Sequence, residues 1–411
     1  MPAYSPRIVD GELRELLGSA GAVVIEGPKA CGKTMTASQQ SASRVLLDID
    51  QAARQALAVE PRLVLEGARP RLLDEWQVAP ELWNQVRRAV DASEQPGQFL
   101  LTGSAVPAED ISRHTGAGRF GFLRMRPMSL FESGVSNGAV SLRQLFAGEV
   151  QTVADPGLSV QDLGALIARG GWPAQQSRPL KAASRAARDY LEQVRQIDIS
   201  RVDRRRDPAR VGALLRSLGR HCATEARLST LAADVALDER TVTAYLQALE
   251  QLMVIEDQPA WAPHLRSRAR LRKAPKRHFV DPSLALAASG AAAERLPEDF
   301  EWFGQLFESL VIRDLRVLSQ PLEGEVLHYR DDYGVEADAI VQLCDGRWGA
   351  IEIKLGEGQV DEAAANLKRF SDQIDSQRSG SAAFLAVICS KGYGYRRPDG
   401  VVVVPVGALG P

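Results

Sequence analysis

The sequence predicts an α/β protein of more than one domain, and three observations carry that reading. Its 411 residues, at about 150 per domain, make two to three domains. The apolar run Gly21-Ala22-Val23-Val24-Ile25-Glu26 enters a glycine-rich turn and then a helical pattern, the strand–loop–helix order of parallel-sheet proteins. Near the other end, three strand-like stretches follow a long amphipathic helix.

Composition narrows the class. Hydrophobic residues are 45% and charged residues 25%, the proportions of an ordinary folded chain, which excludes wholesale disorder. No apolar run reaches the roughly 18 residues that span a bilayer, and the start lacks a basic stretch followed by an apolar one. A cytoplasmic protein without membrane contact is expected. Cys31, Cys222, Cys344 and Cys389 are far apart, which argues against a disulfide framework or a structural zinc site. Net charge is −2, yet 42 of the 50 basic residues are arginine, so arginine clusters need individual inspection.

The glycine-rich turn reads Gly27-Pro28-Lys29-Ala30-Cys31-Gly32-Lys33-Thr34, a GxxxxGK[ST] pattern in its required setting. Gly27, Pro28, Ala30, Cys31 and Gly32 line the expected phosphate cradle, whose backbone N–H groups turn inward, and the helix start adds partial positive charge. Lys33 is expected on the β- and γ-phosphates of ATP and Thr34 on Mg²⁺. The stretch Arg71-Leu72-Leu73-Asp74-Glu75-Trp76 is a short strand ending in two carboxylates. Asp74 is placed to hold the magnesium and Glu75 to activate water, which makes hydrolysis the expected chemistry. A third strand, Phe99-Leu100-Leu101, ends in Thr102-Gly103-Ser104; Thr102 and Ser104 are both candidates for sensing the γ-phosphate. Arg113 and Arg119 bound a glycine-containing loop. Either is a surface arginine or reaches a neighbouring subunit's γ-phosphate.

Residues 135–165 show weak periodicity and read as an irregular crossing between lobes. Arg169 to Pro173 is a turn by its glycines and proline. From Leu180 to about Gly219 the pattern is helical, with Tyr190, Leu191, Val194 and Ile197 on one face. Arg201 to Arg206 is a solvated face or a ligand contact. Next come a helix capped by Ser229 and a second from Arg240 to Leu252, with Val242, Tyr245, Leu246 and Leu249 inward, a helix-turn-helix order. Two strand-like stretches behind it make a winged helix. In the second, Arg266, Arg268, Arg270 and Arg272 alternate with smaller residues, so a strand would project all four from one face. From His264 to His278 there are seven formal positive charges and no acid. That row suits nucleic-acid phosphates, DNA favoured, although such a wing also serves contacts between subunits.

In the last part, Gly304 to Leu318 is an amphipathic helix carrying Glu308, and strands are expected at Val326–Arg330, Glu336–Leu343 and Trp348–Lys354. Asp338 opens one strand, and Glu352 and Lys354 share a face of the next. Buried charges of this kind are costly unless paired or bound to metal. A divalent site with Asp338 and Glu352 as ligands and Lys354 orienting water is the expectation, against an internal salt bridge. A helix from Asp361 to Ile374 and strands at Ala383–Ile388 and Val401–Pro405 complete an α/β sandwich.

Taken together, the P-loop, Leu72-Leu73-Asp74-Glu75, Leu101-Thr102-Gly103-Ser104, Gly170-Gly171-Trp172-Pro173, Lys273-Ala274-Pro275-Lys276 before Phe279-Val280-Asp281, and Glu336-Ala337-Asp338 with Glu352-Ile353-Lys354 resemble a prokaryotic AAA+-like ATPase family with a C-terminal DUF4143 domain. The resemblance spans nearly the whole chain in order. It implies an AAA+-like P-loop domain over 1–150, a helical lid over 151–225, a winged helix over 226–290 and a DUF4143 domain over 295–411. Lys33, Thr34, Asp74 and Glu75 would be the Walker residues, Ser104 sensor 1 and Arg119 the arginine finger of a homo-oligomer. The C-terminal part resembles the PD-(D/E)xK, restriction-endonuclease-like fold, with Glu308, Asp338, Glu352 and Lys354 as the nuclease set and Mg²⁺ or Mn²⁺ as its metal. It departs in having Ala337 where the fuller pattern has proline. The expected function is ATP hydrolysis coupled to nucleic-acid binding or metal-dependent cleavage. The alternative is an ATP-switched regulatory or scaffolding protein that binds DNA or a partner and cuts nothing.

Overall fold

The computed structural model describes residues 4–93, 95–103, 116–199, 207–263, 273–331 and 333–411. Ser104, Arg113, the 201–206 run and Arg266, Arg268, Arg270 and Arg272 lie outside the described residues. The chain forms two units, Met1–Pro127 with Gln251–Met253, and Met128–Glu250 with Val254–Pro411.

In the first unit, α1 (Val9–Ser19) leads into β1 (Ala22–Glu26), and α2 (Lys33–Gln40) follows the glycine turn. Then come β2 (Ser43–Leu46), α3 (Gln51–Val59), α4 (Arg62–Leu65), β3 (Arg71–Asp74), α5 (Leu82–Ser93), β4 (Phe99–Gly103) and β5 (Phe120–Arg124). The sheet order is β2-β3-β4-β1-β5, and every pairing is parallel. Such a sheet is covered on both faces, which is why its strands read as unbroken apolar runs. Ala22 and Val24 pack with Trp76, Trp83 and Phe99, whereas Val23 and Ile25 pack with Val9, Leu13, Leu72 and Leu123. Trp83 stacks on Phe120 with ring centroids 4.2 Å apart. Because β1 lies between β4 and β5, the strand order reverses beside it. A crevice at the carboxyl end of β1 follows, the place where such sheets bind ligands.

In the second unit the 135–165 segment is more regular than its sequence suggested. It contains β6 (Val140–Ser141), α6 (Leu142–Phe146) and the start of α7 (Val160–Arg169). The missed signals are caps: Ser141 accepts from Gln144 N, and Ser159 forms a capping box with Asp162. Residues 128–150 pack within this unit, with β6 beside β13 (Leu409–Gly410) and Phe146 edge-on to Phe384.

The helix predicted from Leu180 breaks differently. Regular α8 (Leu180–Gln193) gives way to a π turn over Val194–Asp198. That turn adds a residue and shifts the phase, so Ile197, expected inward, is 51% exposed. After α9 (Pro208–Arg220), α10 (Leu228–Val235) and α11 (Glu239–Gln251) stand in the predicted order, and Val242, Tyr245, Leu246 and Leu249 are buried. Ser229 is not the cap. The helix starts two residues earlier, with Arg227 at the cap position and no side-chain bond.

Two of the motifs that carried the resemblance meet here. Asp281 caps α12 (Pro282–Ser289) and also accepts from Gly171 N at 2.8 Å, while Trp172 Nε1 donates to Ser283 Oγ at 3.0 Å. A Cβ on Gly170 would come within 2.4 Å of Ser283 Oγ, and its φ is +68°, so glycine is required there. Next is α13 (Phe300–Ser319), buried along most of its length. A six-stranded sheet follows, with β7 (Gly324–Arg330), β8 (Glu336–Leu343), β9 (Trp348–Lys354), β10 (Phe384–Cys389), β11 (Tyr395–Arg396) and β12 (Val402–Pro405) in the order β11-β12-β10-β9-β8-β7. Helix α14 (Val360–Gln373) covers it through Ala363, Leu367 and Phe370, beside Trp261 and Trp348.

Candidate functional site

The nucleotide cradle is built by backbone conformation. Ala30 and Gly32 have φ of 62° and 108°, which turns the chain sharply between β1 and α2. Gly32 is also the residue before α2, and no side chain caps that helix, so its first amide groups remain available to a phosphate. Gly27 is fixed by space, since a Cβ there would lie 2.3 Å from the Met125 carbonyl oxygen. Lys33 is buried and its Nζ donates to Gly27 O at 2.9 Å and Pro28 O at 2.8 Å, spanning the loop.

Thr34, Asp74 and Thr102 converge. Thr34 Oγ1 donates to Asp74 Oδ1 at 2.8 Å, and the Thr102 hydroxyl donates to the same oxygen. The register explains it: Asp74 pairs with Thr102 at the carboxyl ends of β3 and β4. A hydroxyl and a carboxylate already in contact beside the cradle fit a nucleotide-bound Mg²⁺. Glu75 follows with φ 54° and ψ 44°, a left-handed conformation uncommon for a residue with a Cβ, and Gln77 Nε2 donates to its carboxylate. The kink turns Glu75 out of the strand while Asp74 stays buried.

Sequence reasoning missed two supports of this site. Arg7, buried ahead of α1, donates from Nη1 to Cys31 O at 2.9 Å and from Nη2 to Arg126 O at 2.8 Å. Gln77 orients Glu75. Neither had a local sequence signal, since each works through a turn formed elsewhere in the chain.

Arg119 does not join the site. It stands just before β5, whose Phe120 pairs with Ala22 at the amino end of β1, and it is paired with Asp91. Five strand residues at about 3.3 Å each separate it from its own P-loop.

The C-terminal charges do converge. Asp338 on β8 and Glu352 with Lys354 on β9 come from antiparallel neighbours, and Glu308 arrives from α13. Lys354 Nζ lies 2.6 Å from Glu352 Oε2 and 3.5 Å from Asp338 Oδ2. A further lysine, Lys276, lies 2.6 Å from Glu308 Oε1 and 3.2 Å from Asp338 Oδ1. Asn366 Nδ2 donates to Glu352 Oε1 at 2.6 Å, and Ile353 N to Asp338 Oδ2 at 2.8 Å. Burial alone would raise the Asp338 carboxyl, but Lys276 and Lys354 outweigh it and hold it at about 2. Burial and then the Asp338 charge push Glu352 up to about 8. Burial pushes Glu308 up to about 7 against the pull of Lys276.

As arranged, these residues do not fit a divalent cation, because two ammonium groups already take the carboxylate oxygens. Among the described residues no set of three or more His, Cys, Asp or Glu side chains is disposed to hold a metal ion. Lys276 stood in the quoted Lys-Ala-Pro-Lys motif without a role. The structure gives it one.

The basic stretch is shorter than its seven charges. Antiparallel bridges join Ile255 to Phe279 and Gln258 to Lys276, so the 276–279 stretch runs alongside 255–258. Lys276 and Arg277 are both buried, and Arg277 pairs with Asp257. Lys273 Nζ donates to the Arg330 carbonyl. Among the described residues no helix is long and apolar enough to cross a membrane.

Three family models match successive parts of the chain. Residues 19–133 match an AAA domain family, 160–295 match a domain of unknown function, DUF8612, and 303–409 match another, DUF4143. Two uncharacterized mycobacterial proteins, Mb2031c of Mycobacterium bovis (strain ATCC BAA-935 / AF2122/97) and Rv2008c of Mycobacterium tuberculosis (strain ATCC 25618 / H37Rv), are each 26% identical over 406 residues. The alignment covers 96% of this chain and 82% of theirs. The Walker-type ATPase PABY2304 of Pyrococcus abyssi is similar over 68% of this chain and 94% of its own, at 15% identity and a TM-score of 0.41, too distant a likeness to carry an argument. With its cradle and its Thr34–Asp74 pair, the chain carries a P-loop domain similar to the AAA domain family over residues 19–133 and a C-terminal part similar to DUF4143 over residues 303–409.

Proposed function

We propose that this protein is an ATP-hydrolysing, Mg²⁺-dependent switch that binds nucleic acid, DNA favoured, through the 264–273 segment and does not cut it. The observation that carries the switch is the Thr34–Asp74 contact at 2.8 Å beneath a cradle spanned by Lys33. In that geometry Lys33 neutralises phosphate charge. Thr34 and Asp74 would hold the metal, which when bound would supply charge neutralisation at the phosphates. Glu75, turned out of the strand and steadied by Gln77, takes the proton of the attacking water. Ser104 would report the γ-phosphate beside Thr102. Arg119 serves as a finger only toward a second copy, so that role requires a homo-oligomer.

The nucleic-acid part rests on five basic residues with no acid among them, Arg266 to Lys273. The exposed residues of α11 are mixed in charge, Glu239, Arg240, Gln247 and Glu250 among them, which does not suit reading base edges in a groove. Binding that positions phosphates without reading sequence is therefore favoured. Metal-dependent cleavage would require Asp338 and Glu352 to leave Lys276 and Lys354, and it is not built into the proposal.

The test is incubation with ATP, Mg²⁺ or Mn²⁺ and a panel of single- and double-stranded DNA and RNA, followed on native and denaturing gels. Retarded but uncut strands, with ATP turnover that responds to the nucleic acid, are expected. Strands cut only when metal is present would refute the non-cutting reading, and absence of any retardation would refute nucleic-acid binding.

A further inference from the structure

Glu308, Lys276, Asp338, Lys354 and Glu352 form a chain of alternating charge, with separations of 2.6, 3.2, 3.5 and 2.6 Å in that order. Both positions from which a cation would bridge two carboxylates hold an ammonium group. Lys354 is 26% exposed at its side chain, whereas Lys276 is 11% exposed, so the inner position is the sealed one.

The backbone bearing Lys276 is pinned on both sides of the centre. Gln258, its antiparallel partner, donates from Nε2 to Leu327 O at 2.9 Å and to the Asp338 carbonyl at 3.0 Å. Two residues on, His278 meets Ser309 Oγ at 3.1 Å through Nδ1 and Gln258 Oε1 at 3.2 Å through Nε2. Ser309 is the neighbour of Glu308, and Gln258 holds the backbone of Asp338. The ammonium is thus delivered by a fixed stretch to a fixed place. Three carboxylates in this space, Asp338 and Glu352 buried and Glu308 largely so, repel one another strongly unless a cation lies among them. A lysine is a compact, three-donor cation on a flexible stem. A divalent ion at the same point would have to displace the ammonium group that already contacts Glu308 and Asp338.

We propose that Lys276 takes the place of a divalent cation in this centre, which is complete without metal and fastens the 276–279 stretch to α13 and β8. Whether the 264–273 segment binds nucleic acid does not bear on it.

The test is Mn²⁺ binding, followed by the loss of the free-ion electron paramagnetic resonance signal, on the full-length, chelator-treated, nucleotide-free protein. All variants carry Asp74→Asn so that the P-loop site is silent. With Lys276 present, no ion is retained at millimolar Mn²⁺. Lys276→Met retains one ion per chain at least tenfold more tightly, and adding Asp338→Asn abolishes it. Lys276→Arg, which keeps the charge, retains none and melts like its parent. The proposal is overturned if the parent retains an ion that Asp338→Asn removes, or if Lys276→Met gains none. Should Lys276→Met not fold unaided, refolding with and without Mn²⁺, followed by circular dichroism, decides the matter. Recovery only with Mn²⁺ supports the substitution of one cation for another. Recovery indifferent to Mn²⁺, or absent in both, overturns it.

Discussion

Replacing Arg313 by methionine should cost more stability than any other single change outside the nucleotide site. Its side chain is 3% exposed and holds Asp281, 0% exposed, and Asp314, 3% exposed. The contacts are Nη1 to Asp281 Oδ2 at 2.9 Å, and Nη2 and Nε to Asp314 Oδ1 at 2.7 and 2.9 Å. Asp281 also takes Gly171 N and Ser283 N, and Asp314 takes Leu130 N at 3.0 Å. One guanidinium thereby ties the Gly-Gly-Trp-Pro turn, the 128–131 loop and α12 to α13. Methionine conserves bulk but leaves two buried carboxylates facing each other, and breaking a buried pair in this way costs about 3–5 kcal/mol. Against a total of about 5–15 kcal/mol, that is a fifth or more.

The pH dependence has a definite sign. Burial already raises Asp314 above its ordinary value with the arginine present, and removing the arginine raises it further. A folded-state carboxyl above its unfolded value contributes stability that is fully present below the unfolded value and lost as pH rises through the folded one. The variant's deficit should therefore be largest at pH 8 and shrink as pH falls toward 4. Guanidinium unfolding followed by circular dichroism at several pH values measures it. A deficit under about 1 kcal/mol at pH 8, or one that grows on acidification, would refute the reasoning.

Other outcomes follow from the same geometry. Lys33→Ala should abolish ATP binding, read by a fluorescent nucleotide, because the phosphates lose their side-chain cation. Changing Arg266, Arg268, Arg270 and Arg272 to serine should lower the salt slope of nucleic-acid binding by up to about 3.6, at about 0.9 per phosphate contact; an unchanged slope would move the segment to subunit contacts. Burial holds His328 at about 4 and His278 well below its ordinary value. The His328 contribution to stability should be complete above pH 6.5 and fall between 6.5 and about 4. The loss is on the order of 3 kcal/mol from His328, and His328→Gln should flatten that part of the curve.

How much of this was legible depended on the range of the interaction. The P-loop, the Asp74 strand and the strands carrying Asp338 and Glu352 were plain because their signals are local: glycines that need positive φ, apolar runs and period-two spacing. Lys276 was not, since its role exists only once a strand pair lays it between α13 and β8. Two of the seven counted charges, Lys276 and Arg277, were misread as solvent-facing for the same reason. Ile197 turned outward because a π turn breaks the period, and period is all that a sequence displays. Arg7 and Gln77 act on backbone groups and on a kink, neither of which has a spelling.

The central claim is that Asp74 and Glu75 divide metal holding from water activation. Its most direct measurement is ATP binding and single-turnover hydrolysis by Glu75→Gln beside the parent protein. The account predicts unchanged ATP affinity and a hydrolysis rate lower by about 100-fold or more. Hydrolysis at the parent rate, or loss of ATP binding together with hydrolysis, would contradict it.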